Sequence, residues 1–125
     1  LVDAPTLVPM TGERRWASRR LHALADGIGQ EGVTLRREAS RPAELQWSQV
    51  TESFGAKLTR SFDYLESHPD LFEGELEIGQ IALATTIAWL VFREVGPPMF
   101  DGRPRLTAGY ETFAQRESMR ATDPS

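Results

Sequence analysis

Apolar residues recur with helical spacing from Thr11 to about Glu38, at intervals of three, four or seven positions. The repeated positions are Ala17, Leu21, Leu24, Ala25, Ile28 and Leu35. This spacing places the apolar side chains on one face and predicts a long amphipathic helix with Thr11 as its N-cap. Three glycines lie inside it, and they predict a kink or a close backbone approach to a partner at Gly27, Gly29 and Gly32.

A second apolar stripe follows a break at Ser40-Arg41-Pro42, and it ends near His68-Pro69. Because proline suits the first turn of a helix, we expect this helix to begin at Pro42. Its apolar positions are Trp47, Val50, Phe54, Leu58, Phe62 and Leu65. The stripe predicts a helix with one core-facing side, and it places Trp47 in the core.

The most apolar run of the chain lies between Glu77 and Arg93, and Gly96-Pro97-Pro98 ends it. A helix that is apolar around its whole circumference is predicted to be surrounded by other helices, with Trp89 in the core. Glu77 is a poorer N-cap than Ser, Thr or Asp, and losing a good cap costs about 0.5–2 kcal/mol. The side chain of Gln80 can still reach back to the N-cap backbone.

A fourth helix is predicted after Arg103-Pro104, with Leu106, Tyr110 and Phe113 on one face. Residues 118–125 are predicted to be a short turn and a frayed end. Since no segment alternates with a period of two, the sequence predicts an all-α multi-helix bundle of about four to five helices. Residues 1–10 contain two prolines and no helical period, and they predict an extended segment that leads into the bundle.

Composition excludes several classes of function. The chain has 125 residues, a net charge of −4 and no cysteine. A negative charge argues against a general nucleic-acid binder, and no apolar run reaches the roughly 20 residues of a membrane span. Without cysteine there is no thiolate zinc site, disulfide or cysteine nucleophile. We therefore expect one cytoplasmic domain with neither nucleic-acid nor membrane partners.

Candidate chemistry is sparse along the chain. No nucleophile elbow, phosphate-binding loop or zinc-protease motif is present, so no catalytic residue is predicted. His22 and Asp26 are four residues apart, but one imidazole and one carboxylate are too few for zinc, and no metal is expected. Four arginines crowd the start of the first helix, where the dipole disfavours cations. These are Arg14, Arg15, Arg19 and Arg20. We expect either that acidic groups neutralise them or that they form a solvated face of the helix.

Four segments resemble, in order and spacing, the C-terminal helical domain of bacterial glutathione S-transferases. They are Ala23-Leu24-Ala25-Asp26-Gly27-Ile28, Arg41-Pro42 with Tyr64-Leu65-Glu66, Ile78-Gly79-Gln80-Ile81-Ala82-Leu83-Ala84 with Trp89-Leu90-Val91-Phe92-Arg93, and Arg103-Pro104-Arg105-Leu106 with Arg116-Glu117-Ser118-Met119. One departure is the cap of the third helix, where Glu77 and Gln80 replace the family's Ser or Thr and Asp. The resemblance implies a helical domain over residues 11–125, with residues 1–10 as an interdomain linker.

The resemblance also implies what lies outside this chain. Family members carry an N-terminal thioredoxin-like domain that binds glutathione and supplies the activating Ser, Tyr or Cys, and we expect it to be absent here. The intact protein would then be a dimeric detoxification enzyme that joins the glutathione thiolate to a small electrophile, with no further cofactor. The isolated chain is predicted to be inactive.

Four residues of the first helix are substrate-binding candidates by this resemblance. Asp26 and Gln30 would approach glutathione, and Val33 and Arg37 would line the hydrophobic co-substrate pocket. Structural roles compete with each of these: a helix-to-helix hydrogen bond for Asp26, solvated side chains for Gln30 and Arg37, and core packing for Val33. The alternatives left open are a non-catalytic helical protein-interaction module and a maleylacetoacetate-isomerase-like or dehalogenase-like member of the family.

Overall fold

The computed structural model describes residues 6–125, and within that range the protein is an all-helical bundle without β-strands. Five α-helices follow in order, joined by 3₁₀ turns at Ala43–Leu45 and Pro69–Phe72. The helices are α1 (Gly12–Ala39), α2 (Ser48–Ser67), α3 (Ile78–Arg93), α4 (Pro104–Ala114) and α5 (Glu117–Ala121). The predicted all-α class with four to five helices is confirmed. None of the helices in residues 6–125 combines the length and the apolar character that a bilayer span requires.

The core lies where the predicted apolar faces of α1, α2, α3 and α4 meet. Each helix contributes large aliphatic or aromatic side chains that are almost fully buried. They are Ile28 from α1, Leu58, Phe62 and Leu65 from α2, Leu83, Ile87 and Leu90 from α3, and Leu106 from α4. Burying each such side chain stabilises the fold by about 1.5–3 kcal/mol relative to leaving it exposed. The bundle is therefore held chiefly by this shared apolar centre.

Helices α1 and α3 run parallel and approach closely at two glycines. A Cβ on Gly79 would lie 2.7 Å from the backbone oxygen of Ser18, and one on Gly32 would lie 2.5 Å from Cδ2 of Leu90. Only glycine fits at such distances without a shift of the neighbours. The predicted close approach is thus confirmed at Gly32, and α1 continues without interruption through all three glycines.

Two predictions about α2 are wrong. The helix begins at Ser48, not Pro42, because a 3₁₀ turn at Ala43–Leu45 intervenes. Trp47 is therefore the N-cap residue, and its side chain is 59% exposed instead of lying in the core. Its backbone N–H donates to the buried carboxylate of Glu38, which also accepts from Arg41 at 3.3 Å. This carboxylate fixes the turn between α1 and α2.

The prediction that α3 is buried on all sides is also wrong. Its N-terminal part is packed, but Val91 and Phe92 are 46% and 43% exposed. The predicted backward reach of Gln80 is present, since its Oε1 accepts from the N–H of Glu77 at 3.1 Å. Its Nε2 also donates to the carbonyl oxygen of Glu73 at 2.6 Å. The start of α3 is therefore well satisfied despite its unusual cap, while its C-terminal half keeps an open apolar face.

The segment before α1 is tied to the start of α3. Thr11 precedes α1 at the N-cap position, although its side chain makes no capping hydrogen bond. The carbonyl oxygen of Leu7 accepts from the backbone N–H of Ile78 at 2.9 Å. Residues 6–11 form no regular element, as the prolines predict, and residues 1–5 of the predicted linker lie outside the described range.

Candidate functional site

The four substrate-binding candidates form a line along one face of α1. Asp26, Gln30, Val33 and Arg37 are separated by four, three and four residues, which keeps them on one face of a helix. Asp26, Gln30 and Arg37 are exposed, and Val33 is half-buried. Since a helix rises 1.5 Å per residue, the line extends over about 16 Å. The line therefore presents three exposed polar side chains and one half-buried apolar side chain on the same face of α1.

The same face continues towards the start of α1 as a groove of about 430 Å³. Asp26 and His22 both belong to its lining, and Oδ1 of Asp26 is 3.9 Å from Nε2 of His22. The rest of the lining comes from α1, the segment before it and the start of α3: Val8, Pro9, Arg15, Ser18, Arg19, Ala23 and Ile78. Within residues 6–125 no cluster of three or more His, Asp or Glu could hold a metal ion.

The arginines at the start of α1 differ in their surroundings. Arg14 donates to Glu77 at 2.6 and 2.9 Å and to Glu75 at 2.7 Å. These hydrogen bonds, first to Glu77 and then to Glu75, raise the pKa of Arg14 above its ordinary value. The guanidinium of Arg15 lies 5.4 Å from the ring centre of its exposed neighbour Trp16. The expectation that acidic groups neutralise these arginines is therefore confirmed for Arg14, whose ion pairs with Glu75 and Glu77 link α1 to the N-cap of α3.

A second cavity, of about 270 Å³, lies between α3 and the C-terminal segment. It is lined by Thr85, Ala88, Trp89, Val91, Phe92, Tyr110, Ala114, Met119, Thr122, Asp123, Pro124 and Ser125. Burial, followed by the nearby carboxylate of Asp123, raises the pKa of the Tyr110 phenol. An apolar cavity with a few polar groups is the usual form of a small-molecule site. The sequence did not predict it, because the periodicity that marks Trp89 and Tyr110 as apolar-face residues gives no information on long-range cavities.

The individual proteins that resemble this chain are all described as related to glutathione S-transferases. No protein-family model matches the chain. The GST-like protein YibF of Escherichia coli K12, named as uncharacterized, is 34% identical over 126 residues, covering 97% of this chain and 61% of YibF. This chain therefore spans less than two thirds of that relative.

The solved structures that resemble this chain also come from glutathione transferases. A glutathione transferase family member from Pseudomonas fluorescens Pf-5 with bound S-(propanoic acid)-glutathione is 32% identical, with a TM-score of 0.89 over 98% of this chain and 64% of that one. A second structure of a Pseudomonas fluorescens Pf-5 family member, with bound glutathione, has the same identity and TM-score, and the match covers 60% of that chain. A glutathione S-transferase from Methylobacillus flagellatus KT with bound glutathione is 25% identical, with a TM-score of 0.87, over 99% of this chain and 64% of that one.

These likenesses and the all-helical bundle establish the class of the chain. It is a helical domain of the glutathione S-transferase C-terminal type. None of the matched relatives is named as a protein-interaction module, so the non-catalytic alternative gains no support from them.

Proposed function

We propose that this chain is the C-terminal part of a glutathione transferase, where it supplies a wall of the hydrophobic co-substrate pocket and part of a homodimer interface. The observation that carries the proposal is the TM-score of 0.89, over 98% of the chain, to a family member with bound glutathione. The reaction joins the sulfur of the glutathione thiolate to an electrophilic carbon, which releases the leaving group. The parent protein is a cytoplasmic bacterial detoxification enzyme in this proposal.

The line of candidates on α1 fits this role chemically. An exposed carboxylate at Asp26 suits the ammonium group of a peptide, and the amide of Gln30 can donate to or accept from a peptide bond. Val33 is half-buried and offers apolar contact, while Arg37 is exposed and can approach the electrophile or its leaving group. We propose glutathione contact for Asp26 and Gln30 and co-substrate contact for Val33 and Arg37.

The open face of α3 suits a thioredoxin-like domain preceding this chain. The chain spans 61% of YibF and 60–64% of the Pseudomonas structures, so those relatives contain a further portion of substantial size. Val91 and Phe92 are exposed apolar side chains on this face. Covering them with a second domain would remove apolar surface from water. We propose that residues 1–10 link the two domains and that the preceding one activates the thiol with a Ser, Tyr or Cys.

The test uses the full-length product of the gene that encodes this chain. We expect it to conjugate glutathione to an aryl halide well above the uncatalysed rate, and we expect the isolated 125-residue chain to show no such activity. Asp26→Asn should raise KM for glutathione about tenfold, the loss of one charge-assisted hydrogen bond. The matched control is Asp101→Asn, an exposed carboxylate in the turn before α4.

Three outcomes would contradict the proposal. Turnover by the isolated chain would remove the need for a second domain. Absence of both turnover and glutathione binding in the full-length protein would remove the transferase function. Equal effects of Asp26→Asn and Asp101→Asn on KM would remove Asp26 from the glutathione site. The mass of the natural protein, compared with the 14.0 kDa of this chain, tests whether a second domain is present. Light scattering of the natural protein tests separately whether it is a dimer.

A further inference from the structure

Aspartate is followed by glycine at two places in the chain, Asp26-Gly27 and Asp101-Gly102. In this dipeptide the backbone nitrogen of the glycine can attack the carboxyl carbon of the aspartate, because the glycine has no Cβ to hinder the approach. The product after hydrolysis is isoaspartate, in which the chain continues through the side-chain carbon. The chain contains no asparagine, so isoaspartate can form here only from aspartate. Since the two dipeptides are identical, their surroundings in the fold decide which one reacts.

Asp101 and Gly102 are both exposed and form the centre of a turn before α4. A hydrogen bond from the backbone N–H of Arg103 to the carbonyl oxygen of Phe100, at 3.0 Å, closes the turn. Gly102 has a φ of +71°, and apart from its chain neighbours no heavy atom lies within 4 Å of the place that a Cβ would occupy. Within residues 6–125 its N–H has no backbone acceptor, and the carboxylate of Asp101 forms no ion pair. Both reacting groups are therefore accessible.

Asp26 and Gly27 lie instead near the middle of α1, which continues without interruption on both sides of them. The helix holds the N–H of Gly27 in a hydrogen bond to the carbonyl oxygen four residues earlier. Attack on the carboxyl carbon of Asp26 would therefore require the helix to open locally. Free energies of local opening are close to zero in mobile loops and approach the global value within packed helices. The fold is thus expected to separate the rates of the two dipeptides.

We propose that Asp101 is a site of spontaneous isoaspartate formation in the folded protein and that Asp26 is protected from it. The nitrogen of Gly102 bonds to Cγ of Asp101 and closes a five-membered succinimide, while the hydroxyl of the protonated carboxyl leaves with the amide proton as water. One water molecule then adds to either ring carbonyl. Cleavage of the Cγ–N bond restores aspartate, and cleavage of the backbone C–N bond gives isoaspartate. The net change is an isomerisation that needs no reactant beyond solvent water.

The modification would act on the link between α2 and the start of α4. Isoaspartate at position 101 lengthens the turn, because the chain then passes through one additional methylene group. The hydrogen bond between Phe100 and Arg103 spans this position, and the guanidinium of Arg103 donates to Asp63 of α2. The proposal goes beyond the transferase function and does not depend on it, because neither glutathione nor a second domain takes part.

The test is prolonged incubation of the 125-residue chain at neutral pH in water labelled with heavy oxygen, followed by trypsin digestion and mass spectrometry. Trypsin releases residues 21–36 and 94–105 as separate peptides, because Arg103 precedes a proline. The isoaspartyl peptide elutes apart from the aspartyl peptide, and each hydrolysed succinimide carries one heavy oxygen. We expect isoaspartate to form at least about tenfold faster at Asp101 than at Asp26, which corresponds to about 1.4 kcal/mol of local opening in α1.

The chain unfolded in urea is the matched control. There the two dipeptides lose their different surroundings, so the ratio of the two rates should fall to about threefold or less. Asp101→Glu keeps the charge but would have to close a six-membered ring, so it should abolish the isomer in residues 94–105 and leave the rate at Asp26 unchanged. Thermal unfolding measures the consequence: incubation should lower the midpoint of the parent chain more than that of Asp101→Glu.

Three results would overturn the proposal. Equal rates at Asp101 and Asp26 in the folded chain, or a faster rate at Asp26, would show that the fold does not select the site. Isoaspartate that forms at position 101 in urea but not in the folded chain would show that the turn protects Asp101. Equal losses of stability in the incubated parent chain and in Asp101→Glu would show that the modification does not act on the link between α2 and α4.

Discussion

Gly79 lies directly against the backbone carbonyl of Ser18. A Cβ at position 79 would be 2.7 Å from that oxygen and 3.1 Å from Cβ of Leu21. A flexible side chain can move aside, but the backbone of a helix is held by its own hydrogen bonds. The contact fixes how closely the start of α3 approaches α1, and it thereby sets the width of the groove lined by Ser18 and Ile78.

Gly79→Ala is therefore expected to destabilise the fold by about 1–3 kcal/mol, as overpacking does in a well-packed interior. Gly27→Ala is the matched control, since Gly27 also lies in a helix but, apart from its chain neighbours and the backbone of its own helix, has no heavy atom within 4 Å of the place that an added methyl group would occupy. It should stabilise by about 0.5–1 kcal/mol through helix propensity. Urea unfolding checks both changes. Equal stability of the two variants would contradict the tight contact.

Sequence periodicity predicts the helices and most of the core, because both depend on local spacing of apolar residues. Phe62, Leu83 and Leu106 are buried as their stripes require. The exposed position of Trp47 could not be predicted in this way, because the buried carboxylate of Glu38 holds a 3₁₀ turn before α2, and no local pattern indicates that long-range hydrogen bond. The open end of α3 escapes prediction for a related reason, since hydropathy indicates that a surface is apolar but not what covers it.

The candidate site is less predictable than the fold. The spacing of Asp26, Gln30, Val33 and Arg37 correctly implies a common helix face, but their proposed roles rest on family resemblance. The groove beside the first half of α1 depends on residues from three separate segments, which only the folded chain brings together. The crowding of arginines near the start of α1 is the sequence feature that could have located it.

Glu38 provides a test of the turn between α1 and α2. It is 7% exposed and accepts hydrogen bonds from the backbone of Trp47 and from Arg41. Glu38→Ala should cost about 1–3 kcal/mol of unfolding free energy, because it leaves the Trp47 N–H without its acceptor. Glu38→Gln keeps an acceptor oxygen and should cost less. Chemical unfolding followed by tryptophan fluorescence measures both, and equal losses would show that charge, not the hydrogen bond to Trp47, dominates.

Glu66, in α2 beside the start of α4, is expected to make the stability of the fold depend on pH. Burial alone raises the pKa of its carboxyl, but hydrogen bonds from the backbone of Leu106 and from the side chain and backbone of Arg105 outweigh this and lower it. A pKa lowered by folding gives stability that is present above the unfolded value of about 4.3 and is lost as pH falls through the folded value. Acidification should therefore weaken the docking of α4 on α2.

Glu66→Gln should make the fall of the unfolding midpoint between about pH 6 and pH 3 shallower. The glutamine keeps an acceptor for Leu106 but cannot lose a charge. Glu111→Gln, an exposed position on α4, serves as the control and should keep the slope of the parent chain. Identical slopes for the two variants would show that Glu66 does not govern the acid limb. Urea midpoints at each pH provide the measurement.

Arg103 joins α2 to the loop before α4 through one guanidinium. Its Nε and Nη2 donate to Oδ1 of Asp63 at 2.9 and 2.7 Å, and its Nη1 donates to the carbonyl oxygens of Pro98 and Met99 at 3.1 Å. Lysine carries the same charge but lacks this planar fork of donors. Arg103→Lys should lose about 1–2 kcal/mol, and the exposed control Arg120→Lys about 0.5 kcal/mol or less. Thermal unfolding of both variants tests this, and equal midpoints would contradict it.

The exposed face of α3 should make the isolated chain self-associate. Val91 and Phe92 present apolar surface that the helices of residues 6–125 leave uncovered, and apolar patches of this kind favour association. Phe92→Ser should shift the association to higher concentration, as measured by light scattering across a dilution series. Leu45→Ser removes another exposed apolar side chain, 55% exposed and in the turn between α1 and α2, and should have little effect. A chain that stays strictly monomeric at high concentration would show that this face does not attract a partner, and it would weaken the argument that a second domain covers it.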